Sequence, residues 1–232
     1  MYIRKAGQRG HVSFDWLDSH HSFSFGHYYD PDHMGWGVLR VINDDEIAPG
    51  GGFDTHGHRD MEIISYVVEG SIRHRDSMGN ESVLRPGEVQ RMSAGTGVYH
   101  SEFNGSSDSV LKLLQIWIHP NRTGIAPGYE QREIVQQGRL TDLVTATGRG
   151  DSLDIHQDVT IQRLVLPDGE SIQLSMPEGR MGYLHLVAGQ VMDAQIGLLA
   201  AADAVGLQAG ESLSLTATQP VEALWFDLPG QA

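Results

Sequence analysis

The 232-residue chain contains no cysteine. That absence removes disulfide frameworks, thiolate metal sites and thiol nucleophiles, and leaves any metal to histidine and carboxylate. Cations are also scarce: 16 Lys and Arg stand against 30 Asp and Glu, a net charge of −14. Phosphate binding needs clustered Lys and Arg, so direct nucleic-acid contact and an anionic-membrane surface are not expected. Long apolar runs are missing too. The most apolar stretch, 194–207, is broken by Gln195, Gly197 and Asp203 and falls short of the roughly 18 residues a membrane helix needs. Residues 1–11 hold no apolar core of a signal peptide, so the expected location is the cytoplasm. Amphipathic helical patterns are few, and the best candidate is a short helix within 133–145.

Glycine, by contrast, is abundant: 28 residues spread along the whole length, well above the usual share of about 7%. Between the glycines lie short segments rich in Val, Ile, Leu and Tyr, at 38–42, 62–68, 110–118, 160–166, 182–187 and 223–228. Such runs, bounded by turn residues at 76–80, 85–88 and 166–169, predict β-strands of a sandwich or barrel. The fold class is all-β. A weak internal repeat lays Tyr66–Ile72 on His185–Val191, matching Gly70 to Gly189. It suggests two β-modules in tandem: an N-terminal barrel over 1–130, a connecting segment over 131–150 and a C-terminal barrel over 151–232.

The two modules differ in chemistry. Ten of the twelve histidines precede residue 131, and only His156 and His185 follow it. The positions matching His56 and His58 in the second module are Ser175 and Pro177, so a metal site belongs to the first module alone. Side chains at i and i+2 on a strand share a face; His56 and His58 therefore project together, as do His100 and Glu102. Two such strands inside a barrel bring three imidazoles and a carboxylate to one point. A His-x-His pair alone carries little weight; the ordered set carries more. Gly50 lies six residues before His56 and Glu62 four after His58, while Gly97 precedes His100 by three and Asn104 follows it by four.

That ordered set resembles the two signature motifs of the cupin superfamily, with Gly95 where the second motif usually has proline. Further segments are similar to the pirin family: Asp15-Trp-Leu-Asp18, Ser22-Phe-Ser-Phe25, Tyr28-Tyr-Asp-Pro31, the stretch from Leu39 to Asp45, Asp60-Met-Glu-Ile63, Gln115-Ile-Trp117 and Tyr129-Glu-Gln131. The resemblance covers the first half and continues more loosely to Pro229. It implies a bicupin, two jelly-roll-like barrels of the double-stranded β-helix type, with one metal in the N-terminal barrel. The ligands it implies are His56, His58, His100 and Glu102, with Glu62 as the alternative carboxylate or as an acceptor behind a ligating imidazole.

Three imidazoles and one carboxylate suit Fe(II), Mn, Co, Ni, Cu or Zn, and the resemblance favours Fe(II). Several bacterial members of the family are quercetin 2,3-dioxygenases, which implies a phenolic substrate, O2, release of CO, and Glu102 as base as well as ligand. The animal branch implies an alternative, a metal-dependent regulatory module that binds a protein partner without turnover. A zinc-type hydrolase or isomerase is a third expectation. Phe53, Tyr99 and Phe103 are candidate walls for a flat substrate, and the remaining histidines are expected on the surface or in structural hydrogen bonds. The second module is expected to be structural.

Overall fold

The computed structural model describes residues 1–230. The predicted strand segments match, to within one residue at the starts of 38–42 and 110–118, parts of the six strands Leu39–Ile47, Glu62–Glu69, Leu111–Ile118, Thr160–Leu166, Arg180–Ala188 and Val221–Pro229. Most of their apolar side chains are buried, which explains why they read as hydrophobic runs. Among the described residues no helix is long and apolar enough to cross a membrane; the only helical element is the 3-10 turn Ala6–Gln8. The expected helix within 133–145 is absent. Leu140–Thr145 is a strand whose Leu143 and Val144 are buried and which pairs antiparallel with Thr160–Leu164. Apolar and β-branched residues at this spacing serve a buried strand as well as a helix, and the neighbouring strand decides.

The chain forms two compact units. The first contains Gly10–Ile134 and Ala146–Gln157. One of its sheets runs Gly128–Glu133, Glu88–Ser93, Glu62–Glu69, Leu111–Ile118, Leu39–Ile47, Leu17–His21, Gly10–Phe14. The other runs Gly52–His58, Val98–Asn104, Ile72–Asp76, Glu81–Leu84. Side chains from both sheets share one core, in which Ile47, Val67, Leu111 and Leu113 meet Ile72 and Leu84. Segment Ala146–Gln157 is pinned there by Arg91, whose Nε donates to the Asp154 carbonyl at 2.9 Å and whose guanidinium pairs with the Asp154 carboxylate.

The second unit contains Met1–Arg9, Val135–Thr145 and the chain from Asp158 on. The division therefore differs from the linear one expected at 130 and 150. Tyr2–Arg4 pairs with Ala204–Leu207 some 200 residues away, and Asp203 accepts from the Ala6 amide at 2.8 Å and Lys5 Nζ at 3.0 Å. The sheet order after that pair is Arg180–Ala188, Val221–Pro229, Thr160–Leu166, Leu140–Thr145. A four-stranded sheet, Ser171–Ser175, Ser212–Ala217, Gln190–Asp193, Gly197–Ala200, completes it. The internal repeat is visible in the turns. Gly70 and Gly189 both join a long central strand to the next one, with φ of +83° and +82°. At Gly70 a Cβ would come to 2.9 Å from the Val110 carbonyl oxygen, and at Gly189 it would run into that of Pro220.

Candidate metal centre

His56 and His58 stand on the Gly52–His58 strand, and His100 and Glu102 on the neighbouring Val98–Asn104 strand. In register, His100 faces His56 and Glu102 faces Phe53, with a bulge between the two pairs; an extra residue there re-aims the side chains that follow. Alternation puts His100 and Glu102 inside, each 1% exposed, and Tyr99 outside. The three imidazoles converge: His100 Nε2 lies 2.9 Å from His58 Nε2 and 3.1 Å from His56 Nε2.

This convergence is not a hydrogen-bond chain. The Asp54 carbonyl oxygen, 2.7 Å from His56 Nδ1, accepts the proton of that nitrogen, so the His56 Nε2 carries a lone pair directed at the cluster. A bare His100 Nε2 meets the His56 lone pair, and a protonated one has a single hydrogen that cannot point along both contacts. Nitrogens about 3 Å apart are the spacing of adjacent ligands on a cation with bonds of about 2.1 Å. Burial, then the neighbouring His56, holds His58 down to about 4. Burial, then His56, His58 and His74, holds His100 down to about 2. At neutral pH both are uncharged donors, and the residues fit a divalent transition metal ion.

Glu102 faces the same interior. Gln115 Nε2 donates to its Oε2 at 2.6 Å and Ser65 Oγ to its Oε1 at 3.3 Å, and burial raises its carboxyl to about 7. One Glu102 oxygen groups with nitrogens of His74 and His100 within 4.8 Å of one another, and nitrogens of His56, His58 and His100 group within the same distance. Glu62 is elsewhere. It accepts from Ser93 Oγ at 2.9 Å and lies 3.2 Å from His156 Nδ1, and bonds none of the three histidines; the start of its strand faces Ser93 and His156 instead.

A cavity of about 440 Å³ opens beside the imidazoles, walled by Trp16, Phe25, Phe53 and Trp117. Trp117 stands edge-on to His58 at 4.9 Å and to Phe25 at 5.2 Å. Of the predicted aromatic walls, Phe53 takes part; Tyr99 is 63% exposed and Phe103 lies beside a different depression with Arg73 and Arg75. Met92 is core filler with Ile63, Ala94 and Val98. His11 and His20 stack at 4.4 Å on the outer face of a hairpin, both beside Asp18. His74 is fully buried, 3.1 Å from Asp76 and stacked on Tyr129.

Sequence reasoning missed a row of polar side chains crossing the larger sheet. Successive strand registers align His21 with Asn43, Asn43 with Gln115, Gln115 with Ser65 and Ser65 with Gln90. Ser65 Oγ lies within hydrogen-bond reach of Glu102, Gln115 and Gln90, and Tyr129 OH donates to Gln90 Oε1 at 3.0 Å. A signal was present at two of these positions: single polar residues interrupt apolar runs at Ser65 and Gln115.

Comparison with known proteins places the chain in a family. The Pirin family model matches residues 2–118, and the model for the quercetinase C-terminal cupin domain matches 143–228. The chain belongs to the pirin family. It is 45% identical to quercetin 2,3-dioxygenase of Escherichia coli K12, over 99% of each chain. A protein named putative quercetin 2,3-dioxygenase from Mycobacterium bovis is 40% identical over 97% of this chain and 94% of its own. Among solved structures, the bacterial pirin YhhW of E. coli in complex with nickel(II) matches with TM-score 0.94 and 44% identity, covering 99% of both chains.

Proposed function

We propose that the chain is a metal-dependent dioxygenase that opens the central ring of flavonols such as quercetin, with His56, His58, His100 and Glu102 holding one divalent metal ion. The observation that carries this reading is the meeting of three lone-pair-bearing imidazole nitrogens beside a buried carboxylate, in a cavity with aromatic walls. The E. coli relatives, one named for quercetin dioxygenation and one solved with nickel(II), support it. When bound, the ion supplies Lewis acidity toward a hydroxyl oxygen of the substrate and open positions at which O2 chemistry takes place.

The protein's own groups do the rest. Trp16, Phe25, Phe53 and Trp117 hold a flat ring system by its faces and keep water from the reacting carbons. Glu102, the buried carboxylate beside the imidazoles, takes the proton of the 3-hydroxyl as general base, and Ser65 and Gln115 steady it. Both atoms of O2 enter the cleaved product, one ring carbon leaves as CO, and the proton returns from Glu102 to the product's carboxylate. Loss of the visible absorbance of quercetin under air, with CO in the headspace, tests the reading on metal-loaded protein. Unchanged absorbance with Fe(II), Mn(II), Co(II) and Ni(II) alike would overturn it.

A further inference from the structure

Two buried polar side chains in the cavity wall are left unused by the chemistry above. Asn43 and Asp45 point inward from the Leu39–Ile47 strand and are 4% and 2% exposed. Each is tied on one side only. His21 Nδ1 lies 2.8 Å from Asn43 Oδ1, and Ser19 Oγ donates to Asp45 Oδ1. The Asn43 amide nitrogen and the second Asp45 oxygen have no protein partner among the described residues, and both side chains line the cavity. Both side chains border the cavity, where water or a ligand group can satisfy these atoms, and a ligand that displaces such water must replace its hydrogen bonds. A polar group entering the cavity therefore meets one donor and one acceptor here.

Their position says which part of a ligand arrives there. A smaller cavity of about 150 Å³ shares Asn43, Asp45, Phe25 and Phe53 with the main one, but none of the three converging histidines nor Glu102 lines it. Its other walls include Val12, Phe14 and Leu17. A cavity of about this volume accepts a benzene ring, so it takes one six-membered ring and not a fused pair. Phe25 and Phe53 are common to both cavities, so the two adjoin at these rings.

We propose that Asn43 and Asp45 form a subsite for the hydroxyl groups of a single phenolic ring, lodged in this annex while the ring to be opened lies at the histidines. The inference rests on the dioxygenase reading and adds what selects the substrate. The Asn43 amide donates to one hydroxyl oxygen and Asp45 accepts from the neighbouring hydroxyl. Burial raises the Asp45 carboxyl to about 7, so near neutral pH it also donates, which matches a vicinal pair in either orientation. The subsite is a positioning and specificity device.

The test is an anaerobic binding titration of nickel(II)-loaded protein with two probes. One is quercetin, which carries adjacent hydroxyls on its pendant ring; the other is 3,5,7-trihydroxyflavone, which carries none there. Two neutral hydrogen bonds predict that wild type binds quercetin about tenfold more tightly. In Asp45→Leu the two affinities converge to within about threefold, because quercetin binding weakens while that of the trihydroxyflavone holds. Should Asp45→Leu fail to fold, Asp45→Ala repeats the comparison, and the wild-type ratio already decides without a variant. Equal wild-type affinities, or a ratio unchanged in the variant, would overturn the subsite alone. No binding of either flavone by wild type would overturn the dioxygenase reading and the subsite with it.

Discussion

The two barrels share a strand order but fill their interiors in opposite ways. With Gly70 matched to Gly189, Ser65 corresponds to Leu184. The partners of Ser65 in register are Gln115 and Gln90; those of Leu184 are Trp225 and Val205. Asn43, which faces Gln115, corresponds to Gln162, which faces Trp225. The first barrel thus crosses its sheet with hydrogen-bonding groups and keeps a cavity of about 440 Å³. The second fills the same layer with Leu184, Trp225, Val205 and Met176 in one apolar cluster. At Gly182 a Cβ would run into Trp225, so even a methyl group has no room. One scaffold supports a reactive cavity or a solid core, and about three side chains per layer decide which. Polar groups gathered in one barrel are held for binding, since an apolar core of the same shape is the cheaper way to stabilise a fold.

Several measurements would break or sharpen this contrast. His100→Ala, which removes the imidazole that contacts both others, should lower nickel(II) affinity by at least about 100-fold, read by metal analysis after dialysis. No substitution in the second barrel should change metal content. Glu102→Gln, which keeps shape and removes basicity, should lower the rate of quercetin loss by about 10² to 10⁴. It should also change proton release. At pH 7 the His58 and His100 side chains are neutral and have no imidazolium proton to lose, while Glu102, raised to about 7 by burial, is partly protonated. Metal binding to wild type near pH 7 should therefore release protons from Glu102, more as pH falls toward 6 and less as it rises toward 8. Calorimetry in buffers of different ionisation enthalpy should show this component missing in Glu102→Gln. A release equal in both proteins would remove Glu102 from the ligand set.

The matched layer predicts a split in stability. Leu184→Ala opens a void in a dry core and should cost about 2–5 kcal/mol in urea unfolding. Ser65→Ala, beside a cavity already present, should cost about 1 kcal/mol. The matched turns are affected as well. Gly70→Ala and Gly189→Ala each force a Cβ into a left-handed conformation, for about 1–2 kcal/mol from the backbone alone. The Gly189 change should be the costlier, because its Cβ meets the Pro220 carbonyl more closely.

Much of this was legible in the chain itself, and what was hidden has a common cause. Strand segments such as 111–118 and 160–166 announce themselves because most of their apolar side chains are buried. The pairing of His56 with His58 and of His100 with Glu102 follows from the two-residue period of a strand, a local property. Neither the alignment of Asn43, Gln115, Ser65 and Gln90 nor the pairing of Tyr2–Arg4 with Ala204–Leu207 is local. Both depend on register between segments far apart in sequence, which composition and periodicity do not report. The same holds for Leu140–Thr145, whose strand state is set by Thr160–Leu166. Asp45 was visible only as part of the Leu39–Asp45 motif; its burial against Ser19 shows its place in the cavity wall.

The most direct test of the account is a crystal structure of the nickel(II)-loaded protein with anomalous scattering recorded at the metal edge. It should show one strong peak in the first barrel, about 2.0–2.2 Å from Nε2 of His56, His58 and His100 and from a Glu102 oxygen, and none in the second. A principal peak between His11, Asp18 and His20, one ligated by Glu62, or none within reach of His100, would contradict it.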